Sequence, residues 1–269
     1  MHIPRGFSSH QLPLLFAHRG LRTGFPENTM AAFTAARQQQ IPGIELDVHI
    51  TADGKVVVVH DDDLTRVGNC PLVIEESRWD DLRRIDIGSH CSREFSAERI
   101  PLLEDVLATF GQDCYIDIEL KNSVRLDRGL AAATAAVIRR VQPARPLLIS
   151  SFNPLELKRF RTQMPELPTA AIYSRDAEVP WYLRSGWGSW IARTDGRKPK
   201  RDIVPERLAG ILRRRWILPW TVNDAREGLD LLQRGAIGIV SDDPRPLMQL
   251  LRETSDQILP DAPSQVTKR

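Results

Sequence analysis

Cysteine is scarce in this chain, and its three copies, Cys70, Cys91 and Cys114, exclude more than they offer. The number is odd and no pair has C-x-x-C spacing, so neither a disulfide framework nor a structural zinc site is expected. Reduced thiols fit a reducing compartment. No run approaches the ~20 apolar residues of a membrane span. Leu12 to Ala17 is too short, and too soon followed by His18-Arg19, to be a signal sequence. A cytoplasmic location is therefore the default expectation. Net charge is nearly absent too: +2, which is too small to argue for nucleic acid as a partner. Internal repeats, low-complexity tracts and an interdomain linker are also missing. What remains is 42% apolar and 27% charged, the balance of a globular protein. A length of 269 residues is long for one average domain but ordinary for a single α/β barrel.

The informative stretch runs from Ala17 to Asp61. It holds His18-Arg19-Gly20 after a short apolar run, then Glu27-Asn28-Thr29, then Glu45-x-Asp47 in a β-branched run. A turn at Asp53-Gly54 precedes Val56 to Asp61. Strand side chains alternate faces, so Glu45 and Asp47 point the same way. Asp-Gly between β-branched runs is a hairpin signal. A two-residue loop pairs Ala52 with Lys55 and sets Asp47 across from His60, whereas a three-residue loop shifts the register by one and breaks that convergence.

Further along, the chain alternates. Leu14 to His18 reads as the first strand, Asn28 as the N-cap of a helix from Thr29 to Gln39, and Ile44 to His60 as a hairpin. Residues 61–111 form a long connection with helices around Trp79 to Ile85 and Leu103 to Phe110. Strands follow at Tyr115 to Leu120, Leu147 to Ser150, Thr169 to Tyr173, Trp190 to Arg193, Ile217 to Val222 and Gly238 to Ser241. Helices are expected at Arg125 to Arg140, Pro154 to Gln163, Pro205 to Arg214 and Ala225 to Arg234. Strand then helix, repeated, means parallel βα units. The fold class is therefore α/β, a modified (β/α)8 barrel in which the hairpin supplies one surplus strand. The expected organisation is a lead-in over 1–13, a single barrel domain over 14–252 with a cap-like insertion at about 61–111, and a polar tail over 253–269. Arg197 to Arg201 reads as a basic loop.

In such barrels the chemistry lies at the C-terminal ends of the strands. Glu45 and Asp47 alone are only polar strand positions. Glu119, from another strand, adds a third carboxylate, and three carboxylates suit Mg²⁺ or Ca²⁺. His18 and His60 are strand-end histidines, and an imidazole as such can give or take a proton near neutral pH, which suits acid–base work. Arg19 can hold a phosphate oxygen through its donor fork, and Lys121, on the face of Glu119, adds positive charge. His49 shares the face of Glu45 and Asp47 but lies nearer the turn.

His18-Arg19-Gly20, Glu27-Asn28-Thr29, Glu45-x-Asp47 and His60-Asp61, in this order and spacing, resemble the glycerophosphodiester phosphodiesterases. The resemblance runs from about Leu14 to Leu250, and Trp220-Thr221-Val222-Asn223 strengthens it. It implies Glu45, Asp47 and Glu119 as metal ligands and His18 and His60 as the acid–base pair. Phe152 and Trp220 match substrate-side positions. The implied reaction is metal-dependent hydrolysis of a small glycerophosphodiester to glycerol 3-phosphate and an alcohol. Two other readings are lysophospholipase D-type cleavage of lysophospholipids, with Trp181, Trp187 and Trp190 along an acyl groove, and a non-catalytic phosphodiester-binding barrel. Arg213-Arg214-Arg215-Trp216 and the aromatic, basic segment from Trp181 to Arg201 depart from the pattern.

Overall fold

The computed structural model describes residues 3–122, 126–177, 179–205 and 215–258. Its frame is eight parallel strands: β1 (Leu14–His18), β2 (Gly43–Ile50), β6 (Tyr115–Leu120), β7 (Leu147–Ser151), β8 (Thr169–Tyr173), β9 (Gly196–Pro199), β10 (Trp216–Ile217) and β11 (Gly238–Ser241). Their order is β10-β9-β8-β7-β6-β2-β1-β11. Backbone bonds from Ile237 N–H to the Ile217 carbonyl and from Val222 N–H to the Val240 carbonyl join the two ends, closing the barrel. β3 (Val56–Val58) runs antiparallel to β2 and lies off this path, so the first arm of the hairpin fills the barrel place.

The hairpin register differs from the expected one. Val48 pairs with Val58 and Ile50 with Val56, and Thr51 N–H bonds the Lys55 carbonyl across a three-residue loop. The Thr51 hydroxyl explains the longer loop. It donates to Asp53 and accepts from the Lys55 N–H, holding the turn from inside. Val59, not His60, then lies across from Asp47.

Around the barrel stand α1 (Met30–Gln38), α4 (Leu103–Phe110), α5 (Leu130–Val141), α6 (Pro154–Gln163), α8 (Ala225–Gln233) and α9 (Arg245–Ile258). Thr29, not Asn28, caps α1, accepting from the Ala32 N–H. The helix expected over 205–214 falls, from 206 on, outside the described residues. α9 runs beyond Glu253 into the stretch expected as a polar tail. Between β3 and α4 lie a two-stranded ladder, β4 (Asp63–Leu64) with β5 (Cys70–Val73), and the one-turn helices α2 (Thr65–Gly68) and α3 (Trp79–Leu82). Val57, Leu64, Ile74, Leu82 and Ile100 pack together there as a satellite core.

A strand expected at Trp190–Arg193 is instead a helical turn, α7 (Gly188–Ile191), and its barrel place, the sixth along the chain, goes to β9. Gly196-Arg197-Lys198-Pro199 is too polar to read as a strand. It is one because Lys198 turns inward to a carboxylate. Among the described residues, no helix is long and apolar enough to cross a membrane.

The barrel interior changes character along its axis. Leu14, Phe16, Tyr115, Leu148, Trp216 and Val240 fill the lower part as one apolar cluster. One or two steps further on the same faces come His18, Asp117, Glu119 and Ser150. The strand period thus builds a dry floor beneath a charged layer.

Candidate active site

Register assembles the charged layer. His18 pairs with Glu45 across β1 and β2, and Glu45 and Asp47 pair with Asp117 and Glu119 across β2 and β6. One carboxylate oxygen from each of Glu45, Asp47 and Glu119 lies within 4.8 Å of the others, an all-oxygen cluster that could hold a metal ion. Burial, with Asp47 alongside, pushes the Glu45 carboxyl well above its usual range. Burial would push Asp47 up too, but Arg19 and Lys121 outweigh it and hold it far down. Three buried carboxylates thus crowd together with oxygen donors only, and a divalent cation fits that set.

Both predicted histidines reach this place, each held by an aspartate. His18 Nδ1 is 2.7 Å from Asp242 Oδ1, and His60 Nδ1 is 2.7 Å from Asp61 Oδ1. A carboxylate only accepts, so each neutral imidazole keeps its proton on Nδ1 and leaves Nε2 for other partners. Burial lowers the pKa of His18 despite the Asp242 bond. His60 arrives without being paired to Asp47, because the chain leaves β3 after Val58 and turns inward. The buried His49 Nε2 lies 3.1 Å from the His60 carbonyl, and the carbonyl can only accept there.

Arg19 follows β1 in the left-handed region, φ 57°, and Gly20 continues it at φ 82°. A Cβ on Gly20 would meet that of Ala32 at 2.7 Å, so the third residue of the motif must be glycine. This turn aims the Arg19 N–H at Glu45 (3.1 Å) and its guanidinium at Glu27 (2.9 Å) and Asp47 (3.3 Å). Lys121 Nζ is 3.1 Å from Glu119 and 3.7 Å from Asp47. Phe152 and Trp220 meet edge to face, ring centroids 5.6 Å apart.

His18, Arg19, Glu45, His60, Glu119, Lys121, Phe152 and Trp220 all line one cavity of about 890 Å³ at the C-terminal ends of the strands. Asp47 sits just beneath, buried. Leu155, Val179, Leu183 and Ile191 make the opposite wall apolar.

Sequence reasoning left four supporting residues without their roles, although Asp242 was among the strand-end positions it selected. Asp242 orients His18 and is itself held by Asn223 at 2.8 Å, which gives the Trp220-Thr221-Val222-Asn223 pattern a purpose. Asn28 is no cap: at φ 54° it turns its amide to Asp47, 2.9 Å away. Lys198 lies fully inside, 2.7 Å from Asp117 and 3.9 Å from Glu45. Arg66 ties Glu27 (2.5 Å) to Asp61 (2.7 Å).

The sequence model of the glycerophosphoryl diester phosphodiesterase family matches residues 18–245. The chain belongs to that family. Membership makes it a phosphoric diester hydrolase. The glycerophosphodiester phosphodiesterase of Caldanaerobacter subterraneus subsp. tengcongensis is 30% identical over 242 residues, 89% of this chain and 98% of the relative. That of Bacillus altitudinis is 32% identical over 243 residues, with 89% and 98% covered. Among solved structures, a phosphodiesterase of Oleispira antarctica in complex with the product sn-glycerol-3-phosphate superposes with a TM-score of 0.80. It is 28% identical, over 90% of this chain and 98% of the other. The phosphodiesterase family is thus matched across every element that builds the charged layer.

Proposed function

We propose that this family member hydrolyses glycerophosphodiesters to glycerol 3-phosphate and an alcohol. The observation that carries the reading is the meeting, in one cavity, of a three-carboxylate cluster and two imidazoles with aspartate-held Nδ1 atoms. The product in the Oleispira antarctica relative supports glycerol 3-phosphate as the retained half.

Glu45, Asp47 and Glu119 would hold a divalent cation, and their all-oxygen donor set suits Mg²⁺ or Ca²⁺. Such a cation supplies charge stabilisation to the phosphoryl oxygens when bound. Arg19 and Lys121 share that task from the protein side. One imidazole takes a proton from the attacking group through Nε2. The other returns a proton to the departing alcohol oxygen as its bond to phosphorus breaks. Phe152 and Trp220 shape the substrate side. Residues 14–252 act as one catalytic domain, with the segment after β3 as a cap: its Asp61 and Asp62 face the cavity.

A second reading keeps the chemistry and lengthens the substrate. The apolar wall of Leu155, Val179, Leu183 and Ile191 favours a lysophospholipid, whose acyl chain needs such a surface.

The test is release of glycerol 3-phosphate from glycerophosphocholine and glycerophosphoethanolamine, first in EDTA and then with Mg²⁺ or Ca²⁺ restored. Release only with metal, abolished by His18→Ala and by His60→Ala, is expected. Turnover undiminished by EDTA or by either substitution would remove the corresponding role. Release of the head-group alcohol from lysophospholipids, with none from glycerophosphocholine, would move the substrate to the second reading.

A further inference from the structure

Among the described residues, the large apolar side chains left exposed are concentrated in one place. Val73 and Leu126 stand alone, whereas Trp181, Tyr182, Trp187, Trp190 and Ile191 fall within one short segment. Trp181 is 79% exposed, Trp187 63% and Trp190 54%. Scattered apolar residues need no explanation, but a contiguous patch marks an interaction surface.

The segment is built to present these rings. In and around α7, Gly188, Ser189 and Ala192 are buried, while Trp187, Trp190 and Ile191 face out. Positions i, i+3 and i+4 share a helix face. Small residues therefore pack inward and large apolar ones outward, the reverse of an ordinary surface helix. Val179 and Leu183 anchor the preceding turn from below. Trp181 stacks edge-on to Tyr182 at 5.8 Å, and Arg215 lies over the Trp190 ring at 4.6 Å.

Two further observations say what covers the patch. It is continuous with the catalytic opening, since Tyr182 and Ile191 belong both to the exposed patch and to the cavity wall. It is also set in positive charge. Arg175 and Arg193 are exposed in the flanking residues, Arg184 gives its guanidinium to the Val179 and Ala177 carbonyls, and the nearby Asp176 is paired with Lys200. Tryptophan and tyrosine beside cationic side chains are the composition of protein segments that lie in a lipid–water interface, and basic residues there favour anionic lipids.

We propose that the Trp181–Ile191 rim seats the open end of the barrel on an anionic lipid surface, so that the catalytic cavity faces the membrane interface. The rings enter the headgroup region while the arginines meet lipid phosphates. The inference concerns binding and is read without turnover, so it stands apart from the proposed reaction.

The test uses the full chain with vesicles of phosphatidylcholine alone and of phosphatidylcholine mixed with phosphatidylglycerol, followed by co-sedimentation and tryptophan emission. The expected result is binding to the anionic vesicles with a blue shift, weakened by added salt. Trp181→Ala/Trp187→Ala should bind about tenfold more weakly, with an unchanged thermal melt. No co-sedimentation of the unmodified protein would overturn the proposal. So would vesicle binding that the double variant retains in full. Self-association without lipid binding, abolished by the same substitutions, would also overturn it and assign the patch to a second copy of the chain.

Discussion

The ammonium of Lys198 lies 2.7 Å from Asp117 Oδ2 and 3.9 Å from Glu45 Oε1, buried in the barrel wall that lines the cavity. Burial alone would lower its pKa, yet Asp117, Glu45 and Glu119 raise it, so the side chain stays charged. Ser150 donates to the other oxygen of Asp117 at 2.7 Å. Lys198→Met strands Asp117 as a buried carboxylate without its ion-pair partner, and breaking such a pair costs about 3–5 kcal/mol. Lys198→Met/Asp117→Asn should recover most of that loss, because Asp117 is then no longer left as an uncompensated charge. Urea unfolding of the two variants checks this: equal destabilisation would show that the ion pair is not what Lys198 supplies.

Asp242 should matter to rate more than to fold. Asp242→Asn offers His18 an amide whose orientation no longer fixes the Nδ1 proton. A fall in kcat of about a hundredfold or more is expected, with KM nearly unchanged and the melting temperature close to that of the parent. A variant whose KM rises while kcat holds would place Asp242 in substrate binding instead.

Glu27 gives the acid limb of stability a testable shape. Burial alone would raise its pKa, but Arg66, Arg19 and Arg22 hold it at about 2, against 4.5 for the free side chain. A carboxyl depressed in the fold stabilises above its unfolded pKa, and the gain is lost as pH falls toward the folded value. The stability at stake is on the order of 3 kcal/mol. Glu27→Gln should therefore lower stability at neutral pH and flatten the decline between about pH 5 and pH 2. An unaltered slope in that window would mean the arginine cluster does not act through this carboxylate.

The cysteines should separate by accessibility. Burial pushes the Cys114 thiol up to about 11, while Cys91 is exposed. A thiol reagent at mildly alkaline pH should label Cys91 in the native protein and reach Cys114 only after unfolding. Native labelling of Cys114 at a comparable rate would show that the space around α4 opens.

Much of the site was legible because its residues sit in contiguous motifs at strand ends, where period 2 fixes their face. Glu45, Asp47 and Glu119 needed only the strand assignment. His60 was placed by the wrong argument: the Thr51 hydroxyl lengthens the turn by a residue, and the histidine reaches the cavity from beyond the hairpin. Asn28 was hidden because Asn before a helix has an ordinary explanation as a cap. Lys198 was invisible for a deeper reason. Its burial depends on Asp117 and Glu45, far away in sequence, and without them Gly-Arg-Lys-Pro is a surface loop. The same ambiguity misdirected the neighbouring strand to Trp190, since exposed aromatics look like a core until their surroundings are known.

The closure of the barrel through β11 has a consequence in time. β1 leaves the ribosome well ahead of its second hydrogen-bonding neighbour and of the aspartate that orients His18, which come 224 positions later in the chain. A nascent chain that ends before Gly238 already contains Glu45, Asp47 and Glu119, yet β1 still has an open edge and His18 no partner. Synthesis thus delivers the residues of the charged cluster first and the oriented imidazole of His18 last, so an unfinished chain lacks the assembled cluster.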